Sequence, residues 1–356
     1  MQTKFFIVSG LLSAVGTVSG VHADVLSDPI AQRASATSVA VRWSDSNPVD
    51  VYVSDRPDVS LAKAKLVSRS DRDGEYVATV APNERPYFLL HDSSAKRTVR
   101  VAERVLPLEQ GSNFRDIGGY PAASGKHVKW GVVFRSAGTP LLTPADLEQV
   151  KHLGLREMFD LRSSEERVLA PTRITGIRYS SIGYPMSSLF DEPNGAGAMR
   201  DPGAIYRKFP TLLAPQAREI FMSLLRDDIP IVYNCSAGQD RTGFVTAMVL
   251  SALGVPRNVV YEDYHLSTTF RHPQYEMPKI DAAANAANPV AMLFARHQGD
   301  PNYGQPRPLY GAENKPLLSF AFDEIEQRWG SVDSYLAREI GLKSSDLAKL
   351  RAQYLD

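Results

Sequence analysis

The stretch Ile229-Pro-Ile-Val-Tyr-Asn-Cys-Ser-Ala-Gly-Gln-Asp-Arg-Thr-Gly243 constrains this chain more than any other. An apolar run leads to Cys235, a short loop turns at Gly238, and Arg241 opens the amphipathic segment that follows. That order predicts a strand, a tight loop and a helix. A loop of this length can curl so that its backbone N–H groups, from Ser236 through Ala237, Gly238 and Gln239, converge on one anion, while the helix dipole adds positive potential. The planar fork of Arg241 matches two oxygens of such an anion, and Thr242 can donate a hydrogen bond toward the sulfur. The same potential favours thiolate over thiol, which makes Cys235 a candidate nucleophile. The bland alternative is a small buried residue at a strand end.

The segments on either side differ in character. Over 24–104, short alternating runs at 38–43, 49–53, 76–80, 87–90 and 98–102 are separated by turn residues. They predict a small all-β sandwich of immunoglobulin or fibronectin type III style. It shows no catalytic cluster, so its plain role is a spacer or folding partner. From about residue 108 to 356 the pattern is α/β: strand-like runs at 132–135, 157–161 and 229–233 alternate with helical ones. Thr143-Pro144 marks a helix start, and 281–311, rich in Ala, Asn, Pro and Gly, is expected to be a flexible insertion near the mouth of the site.

Residues 1–23 carry one basic residue, Lys4, then an apolar run and the small-residue ending Val21-His22-Ala23. They predict a secretory signal peptide cleaved near Ala23, hence an exported protein, periplasmic or secreted. No later stretch is long and apolar enough to span a bilayer, so no stable membrane insertion is expected. Forty basic against forty acidic residues give no field that would draw nucleic acid. With a single cysteine no intramolecular disulfide is possible, and stability must come from the core.

Several further segments fall in an order that resembles the bacterial cysteine-dependent tyrosine and phosphoinositide phosphatases, whose signature is a loop Cys-x-Ala-Gly-Lys-Asp-Arg-Thr-Gly. These are Asn113-Phe-Arg-Asp-Ile-Gly-Gly119, Phe134-Arg-Ser-Ala137, Asp160-Leu-Arg-Ser-Ser-Glu165, Glu262-Asp-Tyr-His-Leu-Ser267 and Trp329-Gly-Ser331. The resemblance implies a protein-tyrosine-phosphatase-like α/β domain and a two-step hydrolysis through a cysteinyl-phosphate, with no cofactor and no metal. Its substrate would be a phosphotyrosine protein or peptide or a small phosphoester. It also implies Cys235 as nucleophile and Arg241 as phosphate clamp.

Two aspartates compete for the role of general acid. Asp240 matches the position where relatives with an aspartate in the loop place their proton donor. Asp160 is the runner-up, but Arg162 beside it suggests a structural ion pair. Asn113, Arg115 and Asp116 are expected to brace the loop, with Arg115 retaining the option of facing substrate. His265 and His272 are candidates for lining the mouth.

Two positions depart from the family pattern. Asn234 stands where histidine is usual before the nucleophile. Gln239 replaces a lysine associated with inositide-type substrates, which favours phosphotyrosine over multiply phosphorylated lipids. Three other readings stay open: a phosphoinositide phosphatase, a phosphate-binding pseudophosphatase, and an adhesion or sugar-binding protein run by the sandwich. A sulfurtransferase or arsenate reductase would leave the Asn113 and Asp160 segments unexplained.

Overall fold

In strands β2 (Ser38–Ser44), β3 (Val49–Ser54), β6 (Tyr87–Asp92) and β7 (Arg97–Ala102), residues such as Val39, Val41, Val51, Phe88, Leu90 and Val101 turn inward and form one core. A computed structural model describes residues 26–189, 202–305, 307–311 and 314–356; the expected signal peptide lies outside these. Strands β1 (Ser27–Ser35), β4 (Lys65–Asp71) and β5 (Glu75–Thr79) complete the layer. A three-stranded sheet, β1-β2-β5, faces a four-stranded one, β4-β3-β6-β7, in the arrangement of a fibronectin type III sandwich. Strands β1 and β4 were not expected. Their sequences, Ser-Asp-Pro-Ile-Ala-Gln-Arg-Ala-Ser and Lys-Leu-Val-Ser-Arg-Ser-Asp, lack clean alternation, and antiparallel pairing to β2 and β3 makes them strands.

The rest is α/β. Its sheet runs β11 (Arg178–Ser180), β10 (Glu157–Asp160), β12 (Ile231–Asn234), β9 (Val133–Ser136) and β8 (Arg115–Asp116) in spatial order. The first four are parallel to their neighbours, and β8 is antiparallel to β9. Strand β12 lies at the centre and is fully buried, as suits a parallel strand covered on both faces. Helix α1 (Pro144–His152) begins at Thr143 with a reciprocal capping box to Asp146. Helices α2 (Ser164–Leu169), α3 (Pro202–Leu212), α4 (Ala214–Leu225), α5 (Asp240–Ala252) and α6 (Arg257–Phe270) follow.

Helix α5 is apolar nearly all round and contributes Phe244, Met248, Val249 and Leu250 to the main core. Each such fully buried side chain stabilises the fold by about 1.5–3 kcal/mol. The expected insertion at 281–311 contains α7 (Ala291–Gln298), whose Ala291 packs into the same core, and Asn288 Nδ2 donates to the Glu165 carbonyl at 2.9 Å. Helices α8 (Ser319–Trp329), α9 (Val332–Tyr335), continued by a π-turn at Leu336–Ile340, and α10 (Ser344–Tyr354) close the chain. No helix among the described residues is long and apolar enough to cross a membrane.

Candidate active site

Strand β12 delivers Cys235 to the floor of a loop whose far end is the first turn of α5. The thiol is free and 1% exposed. Gly238 takes φ +62°, and a Cβ on it would lie 2.5 Å from the Ser136 carbonyl and the Ala137 nitrogen. Only glycine lets the loop fold against the end of β9.

Fixed donors engage the loop's carbonyls. Gly138 N–H donates to Ser236 O at 2.9 Å. Asn113 Nδ2 donates to Ala237 O at 3.0 Å and Gly238 O at 2.8 Å, and Arg135 Nη2 to Gly238 O at 2.7 Å. Among the described residues no hydrogen bond takes up the N–H groups of Ser236, Ala237, Gly238 or Gln239. A run of free N–H groups leading into a helix N-terminus can hold an oxyanion.

Arg241 is positioned by a residue that sequence reasoning missed. Its Nη1 and Nη2 donate to Glu166 at 2.6 and 2.7 Å, and Nη1 also reaches the Tyr184 hydroxyl at 2.9 Å. Nε has no partner among the described residues, so this edge of the fork remains for a phosphate. Glu166 also accepts from Ser236 Oγ at 2.6 Å and Ser163 N–H at 2.8 Å, which uses all four of its lone-pair directions. Burial alone would raise the Glu166 carboxyl, but the Arg241 charge and these hydrogen bonds override it and bring it down to about 2. The Ser163-x-x-Glu166 capping box was a readable signal for α2, and the same carboxylate that caps the helix grips the arginine.

Asp240 is half-buried, and its Oδ1 accepts from the Tyr206 hydroxyl and from Gln239 Nε2 at 3.0 Å. Tyr206 is bonded in turn to the Tyr264 hydroxyl at 2.6 Å. Burial first, and then the nearby Asp240 charge, push both phenols well above their ordinary range, so Tyr206 stays a donor. Asp160 is instead locked in a buried ion pair with Arg162: Nε and Nη2 donate to its two oxygens at 2.8 and 2.6 Å, and Tyr179 adds a third donor at 2.8 Å. Arg162 Nη1 donates to Ala170 O at 2.6 Å, which leaves the pair as a joint between β10 and α2.

The option left open for Arg115 closes, and two expectations, for Asp116 and Thr242, need correction. Arg115 does not face outward: it is fully buried, bonded to Asp263 at 3.1 Å, to Ser267 and to Asn113 Oδ1. Burial and the adjacent Arg135 lower it to about 10, so it is still charged at neutral pH. Its paired Asp263, which also accepts from Arg135 and Tyr120, is held well below the usual carboxylate range despite its burial. Asp116 does not brace the loop directly, because its carboxylate turns to the opposite face of β8 and accepts from Arg85 of the sandwich at 2.8 Å. Thr242 Oγ1 is buried with no hydrogen-bond partner among the described residues, the sulfur included.

At the departures from the family pattern, Asn234 Nδ2 reaches, among the described residues, only the Cys235 carbonyl, at 3.4 Å, and its Oδ1 is buried without a partner there. Gln239 Oε1 accepts from Arg271 Nη1 at 2.8 Å, which places a cation at the loop's edge where the sequence showed none. Arg271 is clasped by Glu276 at 2.9 and 2.8 Å. His265 stacks on Tyr310 and His272 lies edge-on to Tyr275; neither side chain bonds the loop among the described residues.

A central parallel strand, a buried thiol, an N–H cradle and a clamped arginine define a phosphomonoesterase of the cysteine-loop class. Residues 106–356 match the model of the tyrosine phosphatase family, and the chain belongs to that family. It is 28% identical over 258 residues to a Cupriavidus necator protein carrying a provisional tyrosine-protein phosphatase name, covering 68% of this chain and 86% of that one. It is also 28% identical over 279 residues to the triple specificity protein phosphatase PtpB of Mycobacterium tuberculosis, covering 68% of this chain and 96% of that relative. Among solved structures, P. aeruginosa TpbA matches 49% of this chain and 91% of its own at 14% identity, with a TM-score of 0.25.

Proposed function

We propose that this phosphatase hydrolyses phosphotyrosine in proteins or peptides through a cysteinyl-phosphate on Cys235. The observation that carries the reading is the pairing of a nearly inaccessible thiol with the free edge of Arg241 across a loop of unengaged N–H groups. In the first step the Cys235 thiolate attacks phosphorus, the S–P bond forms, the P–O ester bond breaks, and Asp240 gives its proton to the leaving oxygen. In the second, water attacks phosphorus, the S–P bond breaks, and Asp240 takes the water's proton. The loop N–H groups and Arg241 hold the equatorial oxygens throughout, which supplies most of the barrier reduction.

Asp240 is preferred as the acid because, among the described residues, Oδ1 has two donors while Oδ2 has none, so one oxygen is anchored and the other is left to carry the proton. Asp160, saturated by Arg162 and Tyr179, has no oxygen to spare for a leaving group. The depth of Cys235 favours a phosphate borne on an extended aryl ester. Arg271 at the loop's edge supports a second reading, a phosphoinositide substrate, since it supplies a cation beside Gln239.

Turnover of para-nitrophenyl phosphate, a phosphotyrosine peptide and a phosphoinositide by the unaltered chain, Cys235→Ser and Asp240→Ala tests the scheme. Loss of all turnover in Cys235→Ser with phosphate still bound supports it, as does a lost acid-dependent limb in Asp240→Ala. An unaltered chain that binds phosphate without turning over any ester would identify a pseudophosphatase. The leader-like residues 1–23 support export as part of this reading, and the N-terminal sequence of the protein recovered from outside the cytoplasm checks it.

A further inference from the structure

The sandwich and the phosphate loop meet on opposite faces of one pair of strands. In the β8–β9 ladder Asp116 is paired with Phe134, and Arg115 with Arg135. Successive side chains on a strand point to opposite faces. Arg115 and Arg135 therefore share one face, where they hold Asn113 Oδ1, Asp263 and Gly238 O. Asp116 and Phe134 share the other, and that face is covered by Arg85 from the loop before β6.

Arg85 is built into this junction through every nitrogen. Nη2 donates to Asp116 Oδ2 at 2.8 Å, Nε to the Glu103 carbonyl at 2.8 Å, and Nη1 to the Tyr87 hydroxyl at 2.7 Å. Its guanidinium carbon lies 5.0 Å from the Tyr87 ring centroid and 5.8 Å from that of Phe134. The side chains of Arg85 and Asp116 are 5% and 0% exposed, so the pair is desolvated; without Arg85 the carboxylate keeps the Gly118 and Gly131 N–H donors, at 2.8 and 2.7 Å, but loses the guanidinium bonded to it.

The same face carries the glycines of the Asn113–Gly119 motif. A Cβ on Gly118 would lie 2.5 Å from Trp130 Cα, and one on Gly119 2.3 Å from the Trp130 ring. Trp130 is part of the sandwich core, and its Nε1 donates to Arg100 O at 3.0 Å. Strand β8 pairs with β9 over two residues, and its other edge is bonded to the chain leaving the sandwich, with Asp116 N–H donating to Arg104 O at 2.9 Å and Leu106 N–H to Phe114 O at 3.0 Å. Its seat is therefore built from the sandwich side, and Arg85 supplies the side-chain part of it.

We propose that Arg85 is a positioning residue for phosphate binding and turnover. From the sandwich side it clamps β8 against β9 and so holds Arg115, Asn113 and Arg135 where they keep the loop carbonyls engaged. The sandwich is then a structural part of the phosphatase site.

The test uses the full chain and two readouts: turnover of para-nitrophenyl phosphate, split into kcat and KM, and the inhibition constant of inorganic phosphate, which reports on the loop directly. Arg85→Met, which keeps the packing volume and removes the fork, should lower kcat by roughly tenfold and weaken phosphate inhibition in parallel. Arg85→Lys should recover only part of each, because an ammonium cannot serve three acceptors in one plane. Val39→Ala, in the sandwich core away from the junction, is the control for lost stability and should leave both readouts unchanged below its melting temperature. If Arg85→Met does not fold, Asp116→Asn carries the same prediction with a smaller steric change. The proposal is overturned if the junction variants keep kcat and phosphate affinity within twofold of the unaltered chain, or if Val39→Ala reproduces their loss.

Discussion

Glu166 holds Arg241 by two parallel hydrogen bonds of 2.6 and 2.7 Å, with both side chains almost wholly removed from water. The bond fixes the guanidinium plane before any phosphate arrives, so the ordering of a long flexible side chain is completed on folding.

Glu166→Gln should therefore cost both function and stability. The carboxyl, at 4.5 in the unperturbed state and about 2 in the folded one, is depressed by folding. Its contribution is fully present above pH 4.5 and is lost as pH falls from there toward 2. A shift of this size corresponds to about 3 kcal/mol at pH 7. Urea unfolding of Glu166→Gln beside the unaltered chain should show that gap at pH 7 and a narrowing gap below pH 4.5; a gap independent of pH would contradict the assignment. At pH 7 kcat/KM should drop roughly a hundredfold, because the variant leaves Arg241 unaimed.

Gly238→Ala places a methyl group against backbone atoms at 2.5 Å and forces a positive φ on a residue with a side chain. The loop has to lift from β9, breaking the bonds from Asn113 and Arg135. The expected result is loss of more than about 2 kcal/mol in stability and near-complete loss of phosphate affinity. Calorimetric titration with phosphate measures the second directly.

Tyr206→Phe removes the hydroxyl that Asp240 accepts from and leaves the ring packed against Phe209, 5.0 Å between centroids. Two hydrogen bonds are lost, to Asp240 and to Tyr264, so stability should fall by about 1–3 kcal/mol with the fold retained. A roughly tenfold fall in kcat with KM unchanged is expected if the carboxylate needs that anchor to face the leaving group. Para-nitrophenolate leaves readily without a proton, so the deficit should be larger on a phosphotyrosine peptide, and equal deficits on both would argue against an acid held by Tyr206.

Cys235 is the chain's single cysteine, so its oxidation has no internal thiol to resolve it. Peroxide should inactivate the enzyme, with saturating phosphate slowing the inactivation by occupying the loop. Mass spectrometry would place the added oxygen on Cys235, and inactivation indifferent to phosphate would point to a different lesion.

The strand, the loop and the helix around Cys235 were legible because their signals are local: an apolar run, a glycine at the turn and the start of a helical stretch lie within fifteen successive residues, although that helix is apolar nearly all round rather than amphipathic. The same holds for α1, whose capping residues Thr143 and Asp146 lie three positions apart, and for most of the sandwich, where alternation repeats over a few residues. The β1 and β4 strands escaped because they become strands only through a partner, β2 or β3, that supplies their hydrogen bonds. Nor could sequence distance reveal that Glu166, seventy-five positions before Arg241, would become its anchor, or that Arg271 would stand beside Gln239. Asp116 shows the limit most clearly. One strand position separates it from Arg115, yet the pleat sends the two side chains to opposite faces, one toward the sandwich and one toward the phosphate loop. The sequence by itself determined the strand, loop and helix around Cys235 and the local order of Cys235, Asp240 and Arg241 within them. Only the tertiary structure decided which buried charges meet, because an ion pair taken out of water is set by which elements the core brings together, not by their separation along the chain.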